Sequence, residues 1–157
     1  ITALAAHYPQ KVGGLVEVAS AVDPDLEEVQ WVQYLGLVPP FTWLLASPAE
    51  NANRELIDLE DELRALKPLL SNISAPVYVV HGTDDDLVPY ANVPFMEKTF
   101  VNAATLQIDT IEGGNHFLVW NAIPNVQKAI VSAAEIEARV SQSADTSSAV
   151  AASNIAH

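Results

Sequence analysis

Two short segments of the chain hold the residue types that could do chemistry. One runs from His81 to Pro89 and contains three consecutive aspartates, Asp84 to Asp86. The other reads Gly113-Gly114-Asn115-His116-Phe117. A carboxylate that accepts the Nδ1–H of an imidazole fixes the tautomer of the ring and stabilises its protonated form. The second ring nitrogen is then available as a general base, so these two segments together predict acid–base chemistry.

Both segments directly follow predicted strands. Residues 76–81 are a β-branched apolar run, typical of a buried parallel strand, and 106–111 alternate as in an edge strand. A helical pattern over 92–102 lies between them. A strand–helix–strand crossover takes about 30 residues and sets its strands parallel. Asp85 and His116 are 31 residues apart (116 − 85), so we expect them to meet at one edge of the sheet.

The remaining elements place this crossover in an α/β fold. Residues 1–12 predict a helix that closes at Pro9, residues 15–19 a short buried strand, and residues 123–140 a last helix. Alternating helices and strands imply a parallel sheet that is covered on both faces. Three strands are few for such a sheet, and the opening residues read as the middle of a helix. We therefore expect further strands and the true N-terminus to lie outside this sequence.

Two segments differ in character from this core. Residues 25–70 are acidic, aromatic and helical, and they predict a helical insertion between two strands. The insertion carries one apolar stripe at helical spacing: Leu56, Leu59, Leu63, Leu66, Leu70. Residues 141–157 are rich in Ser, Ala, Thr and Asn and predict a disordered tail. The predicted domain organisation is therefore a core of 1–24 and 71–140, a cap of 25–70 and a tail of 141–157.

Composition excludes several classes of function. With 7 basic and 20 acidic residues the formal charge is −13, which disfavours nucleic acids as partners. There is no Cys, so a disulfide scaffold and a Cys nucleophile are excluded, and no apolar run reaches the ~18 residues of a membrane span. The four histidines are scattered and the aspartate run lacks the EF-hand pattern, so we expect neither a metal nor a cofactor. The compartment is not indicated.

This arrangement resembles the C-terminal half of an α/β-hydrolase. In that family a core strand is followed by Gly-x-x-Asp-x-x-x-Pro, here Gly82 to Pro89 with Asp85 as the acid, and the family histidine follows a Gly-rich turn, here His116. The opening HYPQKVGGLVEVAS is similar to the helix and strand after the family nucleophile. The resemblance implies part of a mostly parallel α/β-hydrolase sheet, with a helical cap at 25–70 and with Asp85 orienting His116.

The family's nucleophile motif, Gly-x-Ser-x-Gly, is missing from the sequence. None of the ten serines has a Gly two residues away on either side, and Ser20 at a predicted strand end is flanked by alanines that do not make the sharp turn. The resemblance places the nucleophile just upstream of Ile1, either in the same chain or on a second chain that carries the N-terminal half. We expect the isolated 157-residue chain to be inactive without that half.

The resemblance implies a serine esterase-type hydrolase for small, ester-like apolar substrates. The side chains expected nearest to substrate are Leu87, Val88, Phe117 and Trp43. Two alternatives stay open on the sequence. An Asp nucleophile would make the protein a dehalogenase or an epoxide hydrolase, and a degenerate copy of the fold would be a non-catalytic binding module.

Overall fold

The computed structural model describes residues 1–26 and 58–136, and these form a parallel sheet of three strands with helices around it. The strands are β1 (Leu15–Val18), β2 (Val77–Gly82) and β3 (Leu106–Ile111). β2 lies in the middle and pairs parallel with both neighbours. The predicted α/β class and the parallel order of the strands are confirmed.

The position of each strand in the sheet follows from its side chains. All six residues of β2 are buried, as a run of apolar and β-branched residues requires between two neighbours and two layers of helix. β3 lies at an edge of the described sheet, and each of its residues is partly buried or exposed, with none fully buried. The prediction of β3 as an edge strand is therefore confirmed.

Five α-helices are described. They are α1 (Thr2–His7), α2 (58–66), α3 (Asn92–Thr99), α4 (Leu118–Asn121) and α5 (123–136). Short 3₁₀ helices cover Pro9–Lys11, Pro24–Leu26 and Lys67–Asn72. None of the described helices is long and apolar enough to cross a membrane.

The predicted helix of residues 92–102 ends three residues early, at Thr99. Phe100 leaves the helical region with ψ 46°, and its side chain is buried in the main core. The last predicted helix is preceded by the separate short helix α4, and its residues beyond 136 lie outside the described part.

The sheet is covered on both faces, as expected. One face packs Val77 and Val79 of β2 against residues of α1, α2 and α3. The other face packs Tyr78 and Val80 against α4 and α5. Each face therefore uses alternate residues of the same strand, which is the period-2 geometry of a β-strand. This double packing fixes β2, and with it the start of the loop that carries Asp85.

The C-terminal part of the predicted cap packs into the main core. Leu63, Leu66 and Leu70 are buried in the same cluster as Leu15 and Val77. Residues 27–57 of the predicted cap and the predicted tail lie outside the described residues. The division of the chain into core, cap and tail stays a prediction.

Candidate active site

The carboxyl ends of β2 and β3 lie side by side, with Gly82 and Ile111 as register partners. The loop after β2 carries Asp85, and the loop after β3 carries His116. Because both loops leave the same edge of the sheet, a distance of 31 residues along the chain becomes a direct contact. The contact joins Asp85 Oδ2 and His116 Nδ1 at 3.0 Å.

The Asp85 carboxylate is fixed by hydrogen bonds other than the one to His116. Its Oδ1 accepts the backbone N–H groups of Leu87 at 3.0 Å and Val88 at 2.8 Å. The side chain is fully buried, while that of His116 is 33% exposed. A buried carboxylate needs such donors because burial removes its water. Asp85 therefore presents its second oxygen to His116 in one fixed direction.

The histidine is oriented by its own loop as well. Asn115 Oδ1 accepts the backbone N–H of Phe117 and the side-chain amide of Asn121, each at 3.0 Å. The ring of Phe117 meets the imidazole edge-to-face at 5.8 Å between centroids. The geometry favours the tautomer with its proton on Nδ1, shared with Asp85. No hydrogen bond to Nε2 is found among the described residues, so this nitrogen can exchange protons with a reacting group.

The two loops are fastened to each other by their backbones. The Asp84 N–H donates to the Gly114 carbonyl at 3.0 Å, and the Thr83 N–H donates to the Ile111 carbonyl at 3.1 Å. In return the Gly113 N–H donates to Thr83 Oγ1 at 2.8 Å. We call these contacts the loop clasp.

The loop clasp depends on a glycine at position 82. A Cβ on Gly82 would lie 2.1 Å from the Gly114 carbonyl oxygen, much closer than any side chain allows. The sequence indicates Gly82 only as part of a motif, because its close approach to Gly114 joins segments about 30 residues apart.

The side chains predicted to contact substrate divide into three groups. Leu87 is 65% exposed, Phe117 is 48% exposed and Val88 is half-buried, so the first two offer apolar surface next to the acid–histidine pair. Leu87 and Val88 also serve Asp85 through their backbone N–H groups. Trp43 lies outside the described residues.

The other candidates from the sequence lie apart from this pair. His81 is buried in β2 with Nδ1 3.2 Å from the Gly82 carbonyl and its ring edge-to-face with Tyr90. Ser20 follows the end of β1, and no hydrogen bond within the described ranges links it to His116. Across residues 1–26 and 58–136, no group of three or more His, Asp or Glu side chains could hold a metal ion.

Comparison with solved structures identifies the fold. One of the metagenome-derived lipolytic enzymes LipS and LipT matches with a TM-score of 0.62 at 13% identity, over 85% of this chain and 60% of that one. The peroxisomal α/β-hydrolase Lpx1 of Saccharomyces cerevisiae matches with a TM-score of 0.55 at 14% identity, over 87% of this chain and 50% of that one. The chain has part of the α/β-hydrolase fold.

A further α/β-hydrolase-fold structure, Est1E from Butyrivibrio proteoclasticus, gives a TM-score of 0.54 at 18% identity over 85% of this chain. The chain spans 50–60% of the length of these three structures. The predicted resemblance to part of an α/β-hydrolase is confirmed at the level of the fold.

Comparison of sequences adds one relative. No family model matches the chain. A non-reducing polyketide synthase, Preu3 from Preussia isomera, is 36% identical over 78 aligned positions, which cover 44% of this chain and 3% of that protein. This chain is therefore similar to a small part of a much longer enzyme.

Proposed function

We propose that this chain is the C-terminal part of a serine hydrolase of the esterase type, in which Asp85 orients His116 and His116 acts as general base and then general acid. The observation that carries the proposal is the 3.0 Å hydrogen bond between the buried Asp85 carboxylate and His116 Nδ1. A solvated aspartate next to a loop histidine would not need two backbone donors and complete burial. This pair has both.

The proposed chemistry follows from the free nitrogen of the imidazole. Nε2 takes the hydroxyl proton of a serine as the serine oxygen bonds to the ester carbonyl carbon, and it returns that proton to the departing alcohol. Water, deprotonated by the same nitrogen, then releases the acid and regenerates the serine. Asp85 stabilises the imidazolium at each stage because its charge lies in a site from which water is excluded.

The serine of this proposal lies just upstream of Ile1, beside the N-terminal end of α1. The resemblance to α/β-hydrolases supports this position, since there the helix and strand after the nucleophile are similar to α1 and β1. Among the described strands β1 has a neighbour on one side only, so it has a free edge for the strand that would carry the serine. That strand belongs either to the same chain or to a second one.

We propose small esters with an apolar acyl group as substrates. Phe117 supports this choice because its exposed ring lies against His116, and Leu87 exposes an apolar side chain in the loop of Asp85. The similarity of the fold to a lipolytic enzyme supports the choice of an ester substrate. The similarity to a polyketide synthase favours a second candidate, an ester or thioester of a polyketide acyl chain.

The decisive experiment is the intact mass of the native protein before and after a fluorophosphonate probe. We expect a mass well above the 16.9 kDa of this chain and a single probe adduct, located by peptide mapping upstream of Ile1. His116→Ala should abolish labelling and ester hydrolysis, with a loss of several orders of magnitude in rate. His7→Ala is the matched control, because His7 is exposed on α1 and lies outside the pair.

Other outcomes would redirect the proposal. A large mass without an adduct would favour an Asp nucleophile, as in a dehalogenase or an epoxide hydrolase, or a binding module. A mass near that of this chain would require a second chain for the serine. If His116→Ala hydrolysed p-nitrophenyl butyrate at the wild-type rate, the catalytic role of the pair would be refuted.

A further inference from the structure

Asn92, the first residue of α3, is a completely buried polar side chain to which the proposed mechanism gives no role. Every polar atom of its amide has a partner. Oδ1 accepts the backbone N–H groups of Val22 at 2.8 Å and Asp23 at 2.9 Å. Nδ2 donates to the Pro89 carbonyl at 3.1 Å. One amide thus joins two segments that are about 70 residues apart along the chain.

The first of these segments is the exit of β1. Ala19 has a positive φ of 49°, which is rare for a residue with a side chain, and the chain turns sharply there. Val22 is then fully buried, so its backbone N–H needs an acceptor inside the protein. Asn92 supplies that acceptor for two consecutive N–H groups. This exit leads into the predicted cap of residues 25–70, of which 27–57 lie outside the described residues.

The second segment is the end of the loop that carries Asp85. Pro89 directly follows Val88, whose N–H makes the 2.8 Å hydrogen bond to Asp85 Oδ1. Asn92 holds the Pro89 carbonyl, both through Nδ2 and through its own backbone N–H at 3.0 Å. The Asn92 amide is therefore connected to the Asp85 carboxylate through Pro89 and Val88.

We propose that Asn92 is a positioning residue that locks the Asp85 loop to the exit of β1, so that a displacement at either segment moves the Asp85–His116 pair. The inference rests on the proposed function, because it concerns the geometry of the same pair. It goes beyond that function by linking the root of the predicted cap to the acid of the site.

Two substitutions distinguish the hydrogen bonds of Asn92 to Val22 and Asp23 from its hydrogen bond to Pro89. Asn92→Leu has a similar volume and removes all three side-chain hydrogen bonds. Asn92→Asp keeps an acceptor for Val22 and Asp23 but places an oxygen without a donor against Pro89. Met96→Ala is the matched control for lost stability. It lies one turn further along α3, is fully buried and makes no contact with the loop of Asp85 through a hydrogen bond.

The test measures kcat and KM of the native protein with p-nitrophenyl butyrate, at a temperature where circular dichroism shows each variant to be folded. We expect Asn92→Leu to lower kcat roughly 10- to 100-fold with little change in KM, since a displacement of about 1 Å has that effect. Asn92→Asp should lower kcat as well, because it removes the hydrogen bond to the Pro89 carbonyl. This variant tests the proposal even if Asn92→Leu does not fold. Met96→Ala should keep the wild-type kcat.

A second readout follows the hydrogen bond between Asp85 and His116 directly. The shared Nδ1 proton gives a low-field proton NMR signal that is slow to exchange with water while the pair is closed. We expect this signal to be lost or broadened in both Asn92 variants and retained in Met96→Ala. If Asn92 had a purely structural role, the Nδ1 proton signal would be unchanged in every variant that is folded.

The outcomes distinguish this inference from the function on which it rests. If His116→Ala abolishes hydrolysis but folded Asn92 variants keep the wild-type kcat and the proton signal, the positioning role is overturned and the proposed function stands. Equal losses of kcat in Met96→Ala and the Asn92 variants would also overturn it, as an effect of stability alone. If His116→Ala is fully active, the proposed function itself has failed.

Discussion

Gly82→Ala should separate the two loops of the site without changing Asp85 or His116 themselves. The added Cβ would lie 2.1 Å from the Gly114 carbonyl oxygen, 2.4 Å from its carbonyl carbon and 3.0 Å from its Cα. All three are backbone atoms, so no side-chain rotation relieves the clash. Real Cβ atoms essentially never approach another heavy atom closer than 3.0 Å, and the loops must therefore move apart by at least 0.9 Å.

The expected loss of activity depends on how much of this loop displacement reaches Asp85 and His116. His116 lies two residues after Gly114, whose carbonyl is bound to the Asp84 N–H in the loop clasp. If the whole displacement reached the pair, the Asp85–His116 distance would grow from 3.0 Å to about 3.9 Å, beyond hydrogen-bond range. We expect kcat/KM to fall about 100-fold and stability to fall by about 1–3 kcal/mol.

The assay compares hydrolysis of p-nitrophenyl butyrate and thermal unfolding in the native protein. Gly14→Ala is the matched control, because a Cβ there meets Ala133 at an ordinary 3.4 Å. It should leave both activity and the unfolding temperature nearly unchanged. A folded Gly82→Ala variant with kcat/KM within twofold of wild type would refute the argument that the loop clasp sets the geometry of the pair.

Three further predictions address the acid, the surface charges and the core. Asp85→Asn should lower kcat by roughly 10³- to 10⁴-fold with the fold intact, since an amide facing Nδ1 favours the wrong tautomer; kcat and circular dichroism of the variant check this. The pKa of Asp25 is lowered from 3.8, first by a hydrogen bond from Lys67 and then by the Lys67 charge. The pair therefore stabilises the fold above pH 3.8. This contribution is lost as the pH falls through the lowered pKa of Asp25 in the folded protein. The difference in unfolding temperature between wild type and Asp25→Asn should therefore shrink as the pH is lowered from 5 to 3, and an unchanged difference would contradict it. Leu70→Ala should cost about 2–5 kcal/mol in urea unfolding because Leu70 is fully buried in the core cluster that also holds residues of α1 and β2; a cost below 1 kcal/mol would contradict its place in the core.

The sequence alone determined the elements and their order. Runs such as Val77–Gly82 and alternation such as Leu106–Ile111 are local patterns, and they predicted β2 and β3 almost to the residue. The parallel crossover also predicted that Asp85 and His116 share one edge of the sheet. These predictions succeed because periodicity and chain length are properties of neighbouring residues.

The tertiary structure decided which atoms touch. The contact of Gly82 with Gly114 and the bonds of Asn92 to Val22 and Pro89 have no signal in the local sequence, because each joins segments brought together by packing on the sheet. A glycine at the end of a strand or an asparagine at the start of a helix is common and does not by itself predict a role in a site. Whether it supports a site depends on the few tenths of an ångström between two backbones, and only the folded core sets that distance.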